Sequence, residues 1–148
     1  MLFRSANKGV YIEPKMYTKV IDHDGNVLLD SSETAETHRV LKETTSWLLI
    51  SAMKDCITKG TGTVANFGTT AIAGKTGTTN DDNDVWFSGF TRKYCASVWA
   101  GYDDNTHLSS YDELNLAMVI WRQVMREIPA NKEWKDFPKP DRDRKSVV

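Results

Sequence analysis

The sequence has no long apolar run, no excess of charge of one sign and only two cysteines. No apolar stretch approaches the roughly 20 residues that a membrane-spanning helix needs, and no secretory signal is visible. The formal net charge of -1 gives no general attraction to nucleic acid or anionic lipid, so we expect no nucleic-acid partner. These absences say little about a longer parent protein if the chain is a fragment.

The residue types that hold metals or form disulfides are also sparse. Cys56 lies on a helical apolar stripe and Cys95 in a strand without a spaced histidine partner, so both are predicted to act as small hydrophobic residues. Whether they pair depends on geometry. His23 is interpreted as a solvated loop histidine, and the acidic stretch 81–84 lacks the pattern of a calcium loop. We therefore expect no metal site and no cofactor.

The 148 residues, 40% of them hydrophobic and 26% charged, have the composition of one globular domain. Segments 16–21 and 27–29 alternate around Asp24-Gly25, a strong turn signal, and predict a β-hairpin. Segments 85–91 and 94–101 predict two more strands, joined by a short turn. Both of these strands have apolar side chains on both faces, so they need cover on both sides.

Two helices are predicted to supply that cover. The first spans about 43–59, because apolar residues recur there at three- and four-residue spacing and Gly60 follows. The second spans about 113–128 and ends before Pro129. Its apolar stripe consists of Leu114, Ala117, Met118, Trp121, Met125 and Ile128. The charged chain beyond Pro129 is predicted to be a solvated tail.

The chemistry of the sequence is concentrated in Ala73-Gly74-Lys75-Thr76-Gly77-Thr78-Thr79. The threonines of this stretch, and the run of small and β-branched residues 69–73 before it, predict a strand. A cation, two hydroxyls and an accessible backbone then lie close together. These groups can bind a carboxylate and an oxyanion.

Strand alternation places Thr76 and Thr78 on one face and Lys75 and Gly77 on the other. Because Gly77 has no side chain, another backbone or a ligand can approach closely there. If the strand lies at a sheet edge beside a cleft, the backbone N–H of Thr78 can donate to a ligand instead of to a neighbouring strand.

Two other interpretations of the stretch are considered. Gly74-Lys75-Thr76 matches the end of a phosphate-binding loop, but the first glycine of that motif would fall at Thr69, and Gly68 is one residue too early. A plain surface strand with a solvated lysine would be favoured if the Lys-Thr-Gly tripeptide stood alone, since three residues recur by chance. The surrounding sequence decides between these interpretations.

The stretch runs into two further patterns, Asp84-Val85-Trp86-Phe87-Ser88-Gly89-Phe90-Thr91 and Val98-Trp99-Ala100-Gly101-Tyr102-Asp103-Asp104-Asn105. Together the three patterns resemble the C-terminal part of the transpeptidase domain of class A penicillin-binding proteins, over roughly residues 6–128. Gly60-Thr61-Gly62-Thr63 matches the connection that leads into the Lys-Thr-Gly strand of that family. The resemblance implies an α/β fold of the α+β type. An antiparallel β-sheet flanked by helices is expected, as in the transpeptidases and serine β-lactamases, but incomplete.

The resemblance also implies a chemistry and a setting. The family attacks the D-Ala-D-Ala bond of peptidoglycan stem peptides with a serine, forms an acyl-enzyme and transfers the acyl group to an amine; β-lactams bind at the same site. Lys75 is expected to supply positive potential, the hydroxyls of Thr76 and Thr78 to hold the donor carboxylate, and the Thr78 N–H to join the oxyanion hole beside Gly77. The parent is expected to be membrane-anchored at the extracytoplasmic face of the bacterial cell membrane, with an upstream glycosyltransferase domain.

The nucleophile of this chemistry is missing from the chain. The pattern S-x-x-K occurs at Ser5-Ala6-Asn7-Lys8 and at Ser51-Ala52-Met53-Lys54, but neither is placed as the family requires. We expect the isolated chain to be inactive. We further expect residues 6–142 to be the native part, because residues 1–5 and 143–148 resemble translated sequencing-adaptor sequence.

Three alternatives to the transpeptidase remain open at this point. A serine β-lactamase or a D,D-carboxypeptidase would share the Lys-Thr-Gly strand, but the Trp86 and Trp99 patterns argue against both. A non-enzymatic domain that only binds stem peptides or acts as a sensor would share this half of the fold. Such a domain would differ from the transpeptidase in lacking the serine nucleophile.

Overall fold

The computed structural model describes residues 2–31 and 35–140. The proposed non-native end 143–148 lies outside these residues, and the origin of residues 1–5 stays a prediction. In chain order the elements are α1 (Leu2–Ala6), β1 (Val10–Ile12), β2 (Lys19–Ile21), β3 (Val27–Asp30), β4 (Thr37–Arg39), α2 (Glu43–Lys59), β5 (Ala73–Thr78), β6 (Asp84–Phe90), β7 (Cys95–Gly101) and α3 (Tyr111–Glu127). Short 3₁₀ turns follow α2 and α3, at Thr63–Ala65 and Pro129–Asn131.

The centre of the fold is a three-stranded antiparallel sheet in the order β5-β6-β7. Both β6 and β7 agree with the predicted strands to within one residue at each end. Two small antiparallel pairs, β1 with β4 and β2 with β3, accompany this sheet. The β2–β3 pair is the predicted hairpin. The expected fold class, an antiparallel sheet packed with helices, is confirmed.

One face of the sheet packs against α3. Trp121 of α3 is fully buried and meets the ring of Phe87 edge-on, with the ring centroids 5.0 Å apart. Its indole N–H donates to the carbonyl of Ala96. The buried part of the predicted stripe is Ala117, Met118, Trp121 and Met125. The helix begins two residues earlier than expected because Ser110 caps its N-terminus and Glu113 completes a capping box.

The opposite face is covered at one end only. Ile50 of α2 packs against Ala73 and Phe90 there. At the other end Trp86 and Trp99 lie opposite each other on β6 and β7, 49% and 45% exposed. The expectation that the helices cover both faces is therefore wrong for this end of the sheet, within the described ranges.

The prediction of a solvated tail after Pro129 is wrong as well. The ring of Phe137 packs edge-on against Phe90 at a centroid distance of 5.3 Å, and Asp136 accepts from the ammonium of Lys54 at 2.6 Å. The carbonyl of Lys135 accepts from the N–H of Ala71. The tail thus adds cover to the end of the sheet where α2 packs.

The same contacts explain a second difference. Residues 69–72 were expected to belong to the central strand, but the strand begins at Ala73. The hydroxyls of Thr69 and Thr70 donate to the carbonyls of Asn131 and Lys135. The segment is therefore bonded to the chain after α3 instead of to β6.

Both cysteines are partly buried, and His23 is exposed in its loop as predicted. Both thiols are free and half-buried; Cys95 packs against the Phe90 cluster, and burial raises the pKa of this thiol to about 11. His23 lies in an exposed loop beside Asp24. In the part of the chain that the structure describes, no helix is long and apolar enough to cross a bilayer, and no group of three or more metal-binding side chains is found.

Candidate active site

The Lys-Thr-Gly stretch forms β5, which lies at an edge of the central sheet. Its register places Thr76 opposite Phe87 and Thr78 opposite Val85, on the face covered by α3. Lys75 and Gly77 lie on the other face. This alternation agrees with the sequence, and the four residues range from half-buried to exposed.

The outer edge of β5 offers backbone donors. The N–H of Thr79 donates inward to the carbonyl of Asp84 at 3.1 Å. Because bonded and non-bonded pairs alternate in an antiparallel ladder, the pair of Thr78 with Val85 is a non-bonded one, and the N–H of Thr78 points away from β6. Among the described residues no strand pairs with this edge. The Thr78 N–H is therefore placed to donate to a ligand.

A cation and hydroxyl groups meet at the same edge. The ammonium of Lys75 donates to the carbonyl of Thr76 at 2.8 Å and lies 3.4 Å from its hydroxyl. The hydroxyl of Thr76 lies 2.9 Å from that of Thr61. Lysine and threonine side chains thus converge, although they start from opposite faces of β5. This grouping can bind an anion such as a carboxylate.

Thr61 was not among the predicted site residues. A sequence signal exists, because Thr61 belongs to the Gly-Thr-Gly-Thr connection, but the motif by itself indicates only a link between α2 and β5. Strand and helix periodicity do not show which loop side chain meets a strand 15 residues later. That proximity is a property of the tertiary fold.

Glycines set how closely β5 can approach its neighbours. A Cβ added to Gly74 would lie 2.7 Å from the ring of Phe87, and one added to Gly89 would lie 2.6 Å from the same ring and 2.9 Å from Trp121. These two glycines therefore make room for the buried aromatic pair. Within residues 2–31 and 35–140, a Cβ on Gly77 would meet only the Cβ of Trp86, at 3.3 Å, so this part of the chain leaves Gly77 otherwise open.

Residues of the Trp86 and Trp99 patterns link β6 to β7 and the end of β7 to α3. The indole N–H of Trp99 donates to Asp84 at 2.8 Å, at the start of β6. The hydroxyl of Tyr102 donates to Glu113 at 2.7 Å, and Glu113 also accepts the N–H groups of Ser109 and Ser110. The hydrogen bond from Tyr102, together with these backbone donors, lowers the pKa of Glu113 to about 2. The two patterns on which the family resemblance rests thus have structural roles in this chain.

Neither S-x-x-K match resembles a catalytic pair. Lys8 forms an ion pair with Glu43 at 3.1 Å. The ammonium of Lys54 donates to both carboxylate oxygens of Asp136, and Ser51 lies within α2. The lysine of each match is thus ion-paired with a carboxylate.

The chain matches the family model described as "Penicillin binding protein transpeptidase domain" over residues 1–126. Among curated relatives, Penicillin-binding protein 1A of Clostridium perfringens (strain ATCC 13124) is 43% identical over 143 residues, covering 97% of this chain and 17% of the relative. Penicillin-binding protein 1A of Clostridium acetobutylicum is 37% identical over 136 residues, covering 91% of this chain and 16% of the relative. The chain thus spans about one sixth of the length of these relatives.

Solved structures show the same fold. Penicillin-Binding Protein 1A from Haemophilus influenzae superposes with a TM-score of 0.73 at 23% identity, covering 95% of this chain and 27% of that one. The penicillin-binding protein PonA1 from Mycobacterium tuberculosis gives a TM-score of 0.72 at 25% identity, covering 94% and 39%. From the family match and these relatives, the chain belongs to the transpeptidase domain family of the penicillin-binding proteins.

Proposed function

We propose that this chain supplies one wall of the active-site cleft of a serine D,D-transpeptidase, and that its parent is a class A penicillin-binding protein that cross-links peptidoglycan. The observation that supports this most strongly is the outer edge of β5, which pairs with no other strand in the part of the chain that the structure describes. It presents the N–H of Thr78 beside the ammonium of Lys75 and the hydroxyl of Thr76.

The reaction takes place in two acyl transfers. A serine that lies outside this chain attacks the carbonyl carbon of the penultimate D-Ala, the C–N bond breaks, and the terminal D-Ala leaves as an amine after gaining a proton. The amine of a neighbouring stem peptide then attacks the ester and releases the serine. In both steps negative charge develops on the carbonyl oxygen, and the N–H of Thr78 is the donor that this chain contributes. Removing one such donor typically costs about 3 to 4 kcal/mol in the transition state.

The hydroxyls of Thr76 and Thr78 are proposed to hold the terminal carboxylate of the donor peptide, and the ammonium of Lys75 is proposed to bring positive potential to it. A β-lactam that bears a carboxylate would bind in the same way. Gly77 lies between the two threonines, and its missing side chain leaves space for the bound peptide. No cofactor is needed for these steps.

The setting of the parent is part of the proposal. Its relatives are named Penicillin-binding protein 1A, which fits a membrane-anchored protein with an upstream glycosyltransferase domain and a transpeptidase at the extracytoplasmic face. Residues 6–142 are proposed to be the native part of the chain. Stem peptides ending in D-Ala-D-Ala and β-lactams are the proposed ligands.

The test is β-lactam acylation of the full-length protein that contains this segment. Lys75→Ala and Thr78→Val are expected to lower the acylation rate constant by at least about tenfold, while thermal unfolding is unchanged. The first variant removes the positive potential at the carboxylate, and the second removes a hydroxyl that holds it. Lys93→Ala, in the exposed β6–β7 turn, is the matched control. Unchanged acylation rates in both site variants would refute the assigned roles.

A further inference from the structure

A hydrogen-bonded chain leads from α2 to the carboxylate-binding threonine. The thiol of Cys56, in the last turns of α2, lies 3.6 Å from the hydroxyl of Thr61. That hydroxyl lies 2.9 Å from the hydroxyl of Thr76, which in turn is 3.4 Å from the ammonium of Lys75. Four side chains from α2, the following loop and β5 are thus linked in one row.

The loop that contains Thr61 approaches α2 closely, although Thr61 itself is exposed. The N–H of Gly62 donates to the carbonyl of Cys56 at 3.0 Å. A Cβ on Gly60 would lie 2.9 Å from the Cα of Cys56, and one on Gly62 would lie 2.9 Å from Ile57 and 3.2 Å from the Cys56 sulfur. The two glycines therefore allow a contact that holds Thr61 in place against β5.

Proton counting gives this row a direction. The hydroxyl of Thr76 has one proton. If it donates that proton to a ligand carboxylate, the proton between Thr61 and Thr76 must come from Thr61. Thr61 then accepts from the thiol of Cys56, and Lys75 donates to Thr76 as well. A donor whose own oxygen accepts hydrogen bonds is a stronger donor, because such chains polarise one another.

We propose that Thr61 is a positioning residue: its hydroxyl donates to Thr76, fixes the rotamer of Thr76 and directs the Thr76 proton toward the ligand carboxylate. The inference rests on the proposed function, since it gives Thr76 its carboxylate. It makes Thr61 a determinant of carboxylate specificity that touches no reacting atom.

The test uses the full-length protein and measures acylation by a penicillin and by its carboxylate ester. Thr61→Val keeps the shape of the side chain and removes the donor; it is expected to lower the rate constant for the penicillin about three- to tenfold, the effect of one hydrogen bond, and to leave that for the ester unchanged. Thr61→Ser restores the donor and is expected to restore the rate. Thr63→Val is the matched control, because Thr63 is an exposed threonine two residues later, at the start of the 3₁₀ turn.

The ratio of the two rate constants does not depend on how much enzyme is folded, so a partly unfolded Thr61→Val preparation still gives an answer. In a Thr76→Val background, Thr61→Val is expected to have no further effect on the ratio. An unchanged ratio in Thr61→Val, while Thr76→Val lowers it, would overturn the role of Thr61 and leave the proposed function standing. An unchanged ratio in Thr76→Val would overturn both.

Discussion

Two glycines of the same motif, Gly74 and Gly77, are expected to respond to alanine in opposite ways. At Gly74 the new Cβ would lie 2.7 Å from the Cζ of Phe87 and 3.1 Å from the carbonyl oxygen of Ser88. Phe87 cannot move aside easily, because its ring is fully buried against Trp121. Overpacking of this kind costs about 1 to 3 kcal/mol.

At Gly77 the new Cβ would have one near neighbour among the described residues, the Cβ of Trp86 at 3.3 Å. A shift of a few tenths of an ångström relieves this contact. In both variants alanine also stabilises the strand by about 0.5 to 1 kcal/mol relative to glycine, because it restricts the unfolded chain. This gain cancels when the two variants are compared. Gly74→Ala should therefore be less stable than Gly77→Ala by about 1 to 3 kcal/mol.

The assay is urea unfolding of this chain, followed by tryptophan fluorescence and analysed for the free energy of unfolding. The m-value serves as the control, since the comparison holds only if both variants expose the same surface on unfolding. Equal stabilities, or a lower stability for Gly77→Ala, would refute the packing of Phe87 between Gly74 and Gly89. In the full-length protein the order of the effects should reverse for acylation, with Gly77→Ala the more impaired variant.

Two more predictions concern the frame around the site. The pKa of Glu113 is lowered from 4.5 to about 2, so its hydrogen bonds stabilise the fold above about pH 4.5 and are lost as the pH falls toward 2. Glu113→Gln should therefore make stability fall less steeply between pH 4.5 and pH 2. An acid-unfolding curve that is the same in the variant would contradict this role of Glu113. Phe137→Ala should lower the free energy of unfolding by about 1 to 3 kcal/mol, because it removes the contact with Phe90. Trp134→Ala is the control: this side chain is 66% exposed, so its removal should change the free energy of unfolding by less than about 1 kcal/mol. Equal effects of the two variants in denaturant titrations would show that the tail does not pack on the sheet.

Local patterns were enough to predict the elements that position the site. The spacing of apolar residues gave α2 its bounds, Glu43–Lys59, and the alternation around Asp24-Gly25 gave the hairpin. The side-chain alternation of β5 followed from strand geometry alone. The family followed from three short patterns together, because each of them alone is too common to identify it.

Long-range contacts could not be predicted in this way. The charge of the segment after Pro129 suggests a solvated tail, yet its contacts join residues far apart in the sequence. Two of them are Lys54 with Asp136 and Phe90 with Phe137. The meeting of Thr61 with Thr76 is of the same kind. The exposed pair of Trp86 and Trp99 was expected to be covered, because apolar strands suggest cover without showing which residues provide it.

The most direct test of the central claim is to locate the β-lactam adduct in the full-length protein by intact mass and peptide mapping. If this chain is one wall of a transpeptidase cleft, the adduct forms on a serine that lies outside the present sequence, in an S-x-x-K motif, and this chain alone gains no mass. An adduct on Ser5 or Ser51, or no adduct on the full-length protein, would contradict the claim.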